Sequence, residues 1–176
     1  MRIVLVRSRY PGNVGAAIRV AGNFGVGELV LVQPAFPVDE DEDLLRMAMG
    51  GLEVVRVTTV ATLGEAVGDA DLVLATTSPR SRELRRVLTP PQARSLVMER
   101  GPSLVAMVFG PERGGLSREE LRYCHARVTG PTNPGFPVLN LAQAVAVVVS
   151  RMCEGHHELD EPPDAMDRPA SLQGTR

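Results

Sequence analysis

The sequence predicts an α/β fold: a mostly parallel sheet with helices on both faces. Three observations predict it. Short β-branched runs alternate along the chain with segments of helical spacing. Glycine- and proline-rich stretches follow several of those runs and precede helices, as strand-end loops do in an open parallel sheet. The length of 176 residues suits one domain with a single substantial core.

The candidate strands are Arg2–Val6, Glu28–Val32, 53–57, 71–75, 103–109 and 126–129. A first helix is expected over 13–24, with Asn13 as its N-cap and Val14, Ala17, Ile18 and Ala21 as its buried stripe. Gly25 follows where a glycine would stop that helix. Arg19 lies off the stripe and is free to face a cleft. Shorter helices are expected over 44–49 and Leu63–Val67, and another from Pro90 and Pro91 to about residue 99. Ser117 and Glu120 make a capping box at the head of a helix over 118–124. The last helix, 139–152, is apolar almost all the way round and so needs burial on two sides, the second supplied by a partner subunit. Residues 1–153 are read as the folded domain, and 154–176, polar and proline-bearing, as a flexible tail or linker.

Bulk composition excludes several classes. A net charge of -2 gives no general attraction for a polyanion, so any nucleic acid must meet a local basic patch. Aromatics make up 3% and tryptophan is absent, which argues against a base-stacking surface. The acidic run 39–43 is a solvated segment that repels phosphate. Cys124 and Cys153 fit neither a disulfide framework nor a zinc site, and they read as free thiols. His156 and His157 are no metal site alone, His125 reads as structural, and no metal is expected. The longest apolar stretch falls short of a membrane span, so a soluble, cytoplasmic protein is expected.

Chemistry concentrates in four loops: 8–15 (SRYPGNVG), 110–116 (GPERGGL), 130–140 (GPTNPGFPVLN) and 76–88. The last carries Arg80, Arg82, Arg85 and Arg86, a density that favours an anionic partner. Taken singly, each glycine loop is explained as well by simple turns, and Glu112 and Arg19 as well by solvated surface groups. No phosphate-loop or dinucleotide fingerprint is present, which disfavours a nucleotide-binding regulator.

Together the loops are more specific. Pro11-Gly12-Asn13-Val14-Gly15 with Arg19 and Phe24-Gly25, then Phe109 to Leu116, then Leu139-Asn140-Leu141-Ala142-Gln143-Ala144-Val145 resemble, in order and spacing, the three signatures of the SpoU branch of the knotted SPOUT methyltransferases. The stretch 77–82, Cys124-His125 and 131–134 resembles the TrmJ subgroup most. The resemblance covers roughly residues 2–152. It implies a C-terminal trefoil knot, a homodimer with its active site across a two-fold interface, and S-adenosylmethionine as methyl donor to an RNA ribose 2′-hydroxyl, in tRNA first and rRNA second. It further implies that the cofactor is held mainly by backbone around Thr77, Gly110, Thr129, Gly130 and Leu139. Arg19 would be the central catalytic residue, oriented with the ribose by Asn13 and Asn140, while Glu112 fixes the substrate loop or an arginine. Two positions depart from the pattern: Val138 replaces a usual serine, and Gly130 a larger aliphatic residue. Val138 is the feature that points to the alternative, a catalytically weak or inactive cofactor- and RNA-binding paralogue.

Overall fold

The computed structural model describes residues 1–38, 41–78 and 87–154. In chain order these form β1 (Arg2–Val6), α1 (Pro11–Asn23), β2 (Glu28–Val32), α2 (Glu42–Ala48), β3 (Arg56–Val60), α3 (Leu63–Val67) and β4 (Leu72–Thr76). They continue with β5 (Val87–Leu88), α4 (Pro90–Arg100), β6 (Val105–Phe109), α5 (Arg118–Leu121), β7 (Ala126–Val128) and α6 (Leu141–Met152). The described strands make one sheet in the order β3-β2-β1-β6-β4-β7-β5, every pairing parallel.

Strand periodicity sorts the core into two layers. Ile3 and Leu5 of β1 point into the larger one, with Leu29, Leu74, Met107 and Phe109 against Ile18 of α1, Leu96 of α4 and Val145 and Val149 of α6. Val4, Val6, Val30 and Val108 point the other way, onto Leu63, Ala66 and Val67 of α3. Burial on both faces is why these strands read as unbroken apolar runs. From β1 the chain runs outward through β2 and β3, then returns to lay down β4 and β6 on the other side. The direction of winding therefore reverses between β1 and β6, and the loops leaving their C-terminal ends open a crevice there. Gly15 lets α2 pack close to α1: a Cβ at that position would stand 2.2 Å from the Leu44 carbonyl oxygen.

Several local expectations are corrected. The N-cap of α1 is Tyr10, with no side-chain cap bond; Pro11 opens the helix, and Asn13 lies inside the first turn. Proline at the first position lacks an N–H to satisfy, and the Asn13 side chain is engaged elsewhere. The third strand starts at Arg56, not residue 53, because Gly50 turns the chain with φ +80 into a short 3-10 turn over Gly51–Glu53. The two-residue β5 has too short a pattern to be seen in sequence. The last helix starts at Leu141, where Asn140 accepts from the Ala142 amide and forms a capping box with Gln143. That helix buries Leu141, Val145, Val148, Val149 and Met152 and leaves Gln143 and Arg151 exposed. The capping boxes of Thr89–Gln92 and Ser117–Glu120 are formed. His125 accepts from the Val73 amide through Nδ1 at 3.0 Å, a strand-end role. Both thiols are free; burial pushes Cys124 up to about 11 and raises Cys153 too, so both stay protonated and unreactive at neutral pH. Among the described residues no helix is long and apolar enough to cross a membrane. Most of the acidic run is described, and in it Asp41 caps α2. Residues 155–176 of the expected tail lie outside the described residues.

At the end of the sheet away from the crevice, Arg2 is nearly buried and donates to Glu28 at 2.7 Å, to Asp69 and to the Ala66 carbonyl. Arg56 also donates to Glu28, at 2.8 Å. Burial pushes the Glu28 carboxyl up, but the hydrogen bonds from Arg2 and Arg56 outweigh it and hold the carboxyl below its usual range. The bond from Arg2 likewise lowers Asp69. Breaking a buried pair costs roughly 3–5 kcal/mol. Because the Asp69 side chain is 61% exposed, Arg2→Ala is expected to cost less, about 2–3 kcal/mol in denaturant unfolding with the slope unchanged. Both carboxyls are depressed in the folded state, so their contribution is full above their unfolded values and is lost as pH falls through the folded ones. The difference between wild type and Arg2→Ala should therefore shrink below about pH 4; a difference constant down to strong acid would exclude this network as its source.

Candidate active site

At the crevice, three loops meet through one chain of hydrogen bonds. Asn13 Nδ2 donates to Glu112 Oε1 at 2.8 Å, and Asn140 Nδ2 donates to Asn13 Oδ1 at 2.9 Å. Asn140 Oδ1 in turn accepts from the Ala142 amide at 2.9 Å. The second carboxylate oxygen of Glu112 accepts the backbone N–H of Arg9 at 3.2 Å. Every amide group in the chain is used in a fixed sense, so the first turn of α1, the loop after β6 and the cap of α6 hold one another in register. Asn13 is half-buried because it sits at this junction, which is also why it does not cap its own helix.

The chain separates two concave regions. One is a cavity of about 430 Å³, walled by the ends of β4, β6 and β7 and by the start of α6. Thr77, Gly110, Gly130, Leu139 and Glu112 line it, with Phe109, Leu141 and Val148 as apolar wall. Its size lies in the usual range for a small-molecule site. The other is an open groove of about 510 Å³ between α1, α2 and α6, lined by Tyr10, Asn13, Ala16, Met47, Asn140 and Ala142 among others. Asp43 and Arg46 form an ion pair in its wall.

The expected site residues separate accordingly. Glu112, Asn13 and Asn140 come together. Thr77, Gly110, Gly130 and Leu139 share the cavity, whereas Thr129 does not line it; its amide donates to the Leu88 carbonyl at 3.0 Å. Arg19 is exposed on α1 and lines neither cavity nor groove. Six positions beyond Asn13, it is turned about 120° around the helix from it. Arg80, Arg82, Arg85 and Arg86 lie outside the described residues. Among the described residues no group of three or more His, Cys, Asp or Glu could hold a metal ion.

Sequence reasoning missed three features. Thr132 lines the cavity and its buried Oγ1 has no hydrogen-bond partner among the described residues, a donor and acceptor left for a ligand. Arg7, with φ +49, pairs with Glu120, whose other oxygen accepts the Ser117 amide, so the loop after β1 is also tied to α5. Arg9 is drawn to the Glu112 loop through its backbone. Only the threonine had a signal, its place in the loop 130–140.

The model of the SpoU rRNA methylase family matches residues 1–150. The chain belongs to that family. A Haemophilus influenzae protein named as an uncharacterized tRNA/rRNA methyltransferase is 38% identical over 151 residues, 84% of this chain and 60% of that protein. The Pseudomonas aeruginosa tRNA (cytidine/uridine/adenosine-2′-O-)-methyltransferase TrmJ is 38% identical over 152 residues, 84% of this chain and 58% of its own. This chain therefore spans about 60% of the length of such SpoU relatives. The crystal structure of TrmJ from Z. mobilis superposes with a TM-score of 0.79 at 35% identity, over 92% of this chain and 72% of that one. The AdoMet-bound rRNA methyltransferase of Sinorhizobium meliloti, at 22% identity and a TM-score of 0.68, shares the fold over 86% of this chain and 54% of that one.

Gly110 is the tightest point of the SpoU cavity. A Cβ there would stand 2.6 Å from the Leu116 amide nitrogen and 2.7 Å from the Gly115 carbonyl carbon, both backbone. Gly110→Ala should push the loop 110–116 outward and cost about 1–3 kcal/mol in denaturant unfolding; unchanged stability would show that the loop yields freely.

Proposed function

We propose that this chain is an S-adenosylmethionine-dependent RNA ribose 2′-O-methyltransferase acting on tRNA in the cytoplasm, as a homodimer. The observation that carries the reading is the intact chain Glu112–Asn13–Asn140 standing between a ligand-sized cavity and an open groove. Membership in the SpoU family and the likeness to TrmJ proteins support the reaction and the RNA class.

The cavity residues fit the cofactor. The Thr132 hydroxyl, without a partner among the described residues, offers a polar contact, and Phe109, Leu141 and Val148 supply the apolar wall. When bound there, S-adenosylmethionine supplies an electrophilic methyl group on a sulfonium. The remaining work falls to this chain. A ribose hydroxyl is a poor nucleophile and needs alignment and removal of its proton. Asn13 and Asn140, which face the groove, orient the ribose. Glu112 holds Asn13 and the loop after β1 in place. A guanidinium is a donor without an acceptor, so the role of Arg19 is to grip an RNA phosphate and polarise the hydroxyl rather than to act as a literal base.

Within one chain Arg19 stands apart from the cavity, and this supports the dimer: a second copy would bring its Arg19 to the site. The half-exposed Ala142, Ala146 and Ser150 of α6 are a surface for that contact. The loops that wall the cavity lie where the resemblance implies a trefoil knot, and we infer the same threading here. Gly130 leaves space in the cavity, since an added Cβ would meet only Val147, at 3.6 Å, and Val138 places an isopropyl group at its lip. Neither residue is a member of the hydrogen-bonded chain.

Calorimetry should show binding of S-adenosylmethionine or its demethylated product and none of a nicotinamide nucleotide. Incubation with labelled cofactor and tRNA, followed by nucleotide mapping, should find a 2′-O-methylated ribose. Absence of heat with either sulfur compound would overturn the reading. Arg19→Ala should abolish transfer and leave cofactor affinity within about threefold, and a variant that methylates normally would remove Arg19 from the reaction. Light scattering should report a dimer at micromolar concentration; a stable monomer would leave Arg19 without a route to the site.

A further inference from the structure

The described arginines differ in whether a carboxylate pairs with them. Arg2, Arg7, Arg46, Arg56 and Arg151 each have a carboxylate partner. Arg19, Arg94, Arg100 and Arg122 have none among the described residues, and neither have Arg9 and Arg113, which are both exposed. The last two belong to different loops, one after β1 and one after β6, yet one carboxylate brings them together. Glu112 accepts the Arg9 amide at 3.2 Å and is the chain neighbour of Arg113. The Arg9 nitrogen and the Arg113 Cα are therefore at most about 12 Å apart, within joint reach of two arginine side chains. The nearby charges that could neutralise them are engaged elsewhere. Glu112 is taken up by Asn13 and the Arg9 amide, Glu120 by Arg7 and Ser117, and Asp43 by Arg46. The result is two guanidinium groups without a carboxylate partner among the described residues, carried by loops that meet at the crevice beside a groove whose own ion pair is neutral.

We propose that Arg9 and Arg113 form a phosphate-binding pair that holds the RNA backbone at the entrance to the reaction site. This rests on the RNA-methylation reading and goes beyond it, because it assigns RNA contact to two residues outside the arginine-rich loop 80–86. Guanidinium groups suit the task, offering planar, permanently charged donors to phosphate oxygens. The occupant is a phosphodiester rather than the cofactor, since neither side chain lines the cavity.

The test combines steady-state kinetics and filter binding with a transcribed tRNA, using wild type, Arg9→Ala, Arg113→Ala, the double variant and the double lysine variant. The double alanine variant should raise KM for tRNA about tenfold and leave kcat within about threefold. It should also flatten the salt dependence of tRNA binding by about two units of slope, one for each phosphate contact. Calorimetry should give the double variant wild-type affinity for S-adenosylmethionine, which excludes a collapsed site. Lysine at both positions should restore the salt slope and only part of the affinity, because a point charge replaces a fork of donors. Wild-type KM and salt slope in the double alanine variant would overturn the proposal, as would loss of cofactor binding. If wild-type protein binds tRNA but transfers no methyl group, the enzymatic reading fails, while the salt slope of filter binding still decides whether this pair holds phosphate.

Discussion

The hydrogen bond from Asn13 to Glu112 joins loops that are far apart in sequence and leave adjacent strands of the sheet. With the bond from Asn140, it ties the first helix, the loop after β6 and the cap of the last helix into one polar junction. A partly exposed hydrogen bond of this kind contributes only about 0.5–1.5 kcal/mol to stability. Its importance is positional. Asn13 can satisfy both neighbours only because Pro11, not a side-chain cap, starts α1 and leaves the amide free to turn toward the crevice.

The junction depends on the sheet beneath it. Parallel pairing of β1 with β6 places the two loops at the same end of adjacent strands, and reversal of winding between them keeps the loops from covering that end. The two apolar layers hold this arrangement from both faces. At the other end of the sheet, Arg2 fastens β1 to β2 and to the turn after α3 through Glu28 and Asp69. One end is thus closed by ion pairs, and the other is left open as a cavity and a groove.

Charge is divided in the same way. Net charge is -2 and cannot draw a polyanion to the molecule as a whole. What matters is which arginines are compensated. Local pairing silences those on α2 and at the closed end of the sheet and leaves Arg9 and Arg113 open at the crevice. A weakly acidic protein with a local cationic entrance fits the proposed RNA substrate, gripped at few phosphates.

Much of this was legible in the residues. Strand runs such as RIVLV and ELVLV and the capping box at Ser117 are local signals, readable because strand pleat and helix caps depend on neighbours within a few positions. The second and third signatures fall in loops that wall the cavity and the first at the groove, because short motifs keep their residues together in the chain. Other facts had no local cause. Asn13 looked like a helix cap and became the centre of a junction, since its partners lie 99 and 127 positions away. The shift of the third strand to Arg56 came from Gly50 adopting a positive φ in a turn packed on α1. That Arg7 is neutralised while Arg9 is open depends on where Glu120 and Glu112 arrive in space. Sequence by itself determined the elements and the chemistry available at strand ends; only tertiary structure decided which polar groups satisfy one another and which remain for a ligand, because that pairing is made between residues remote in the chain.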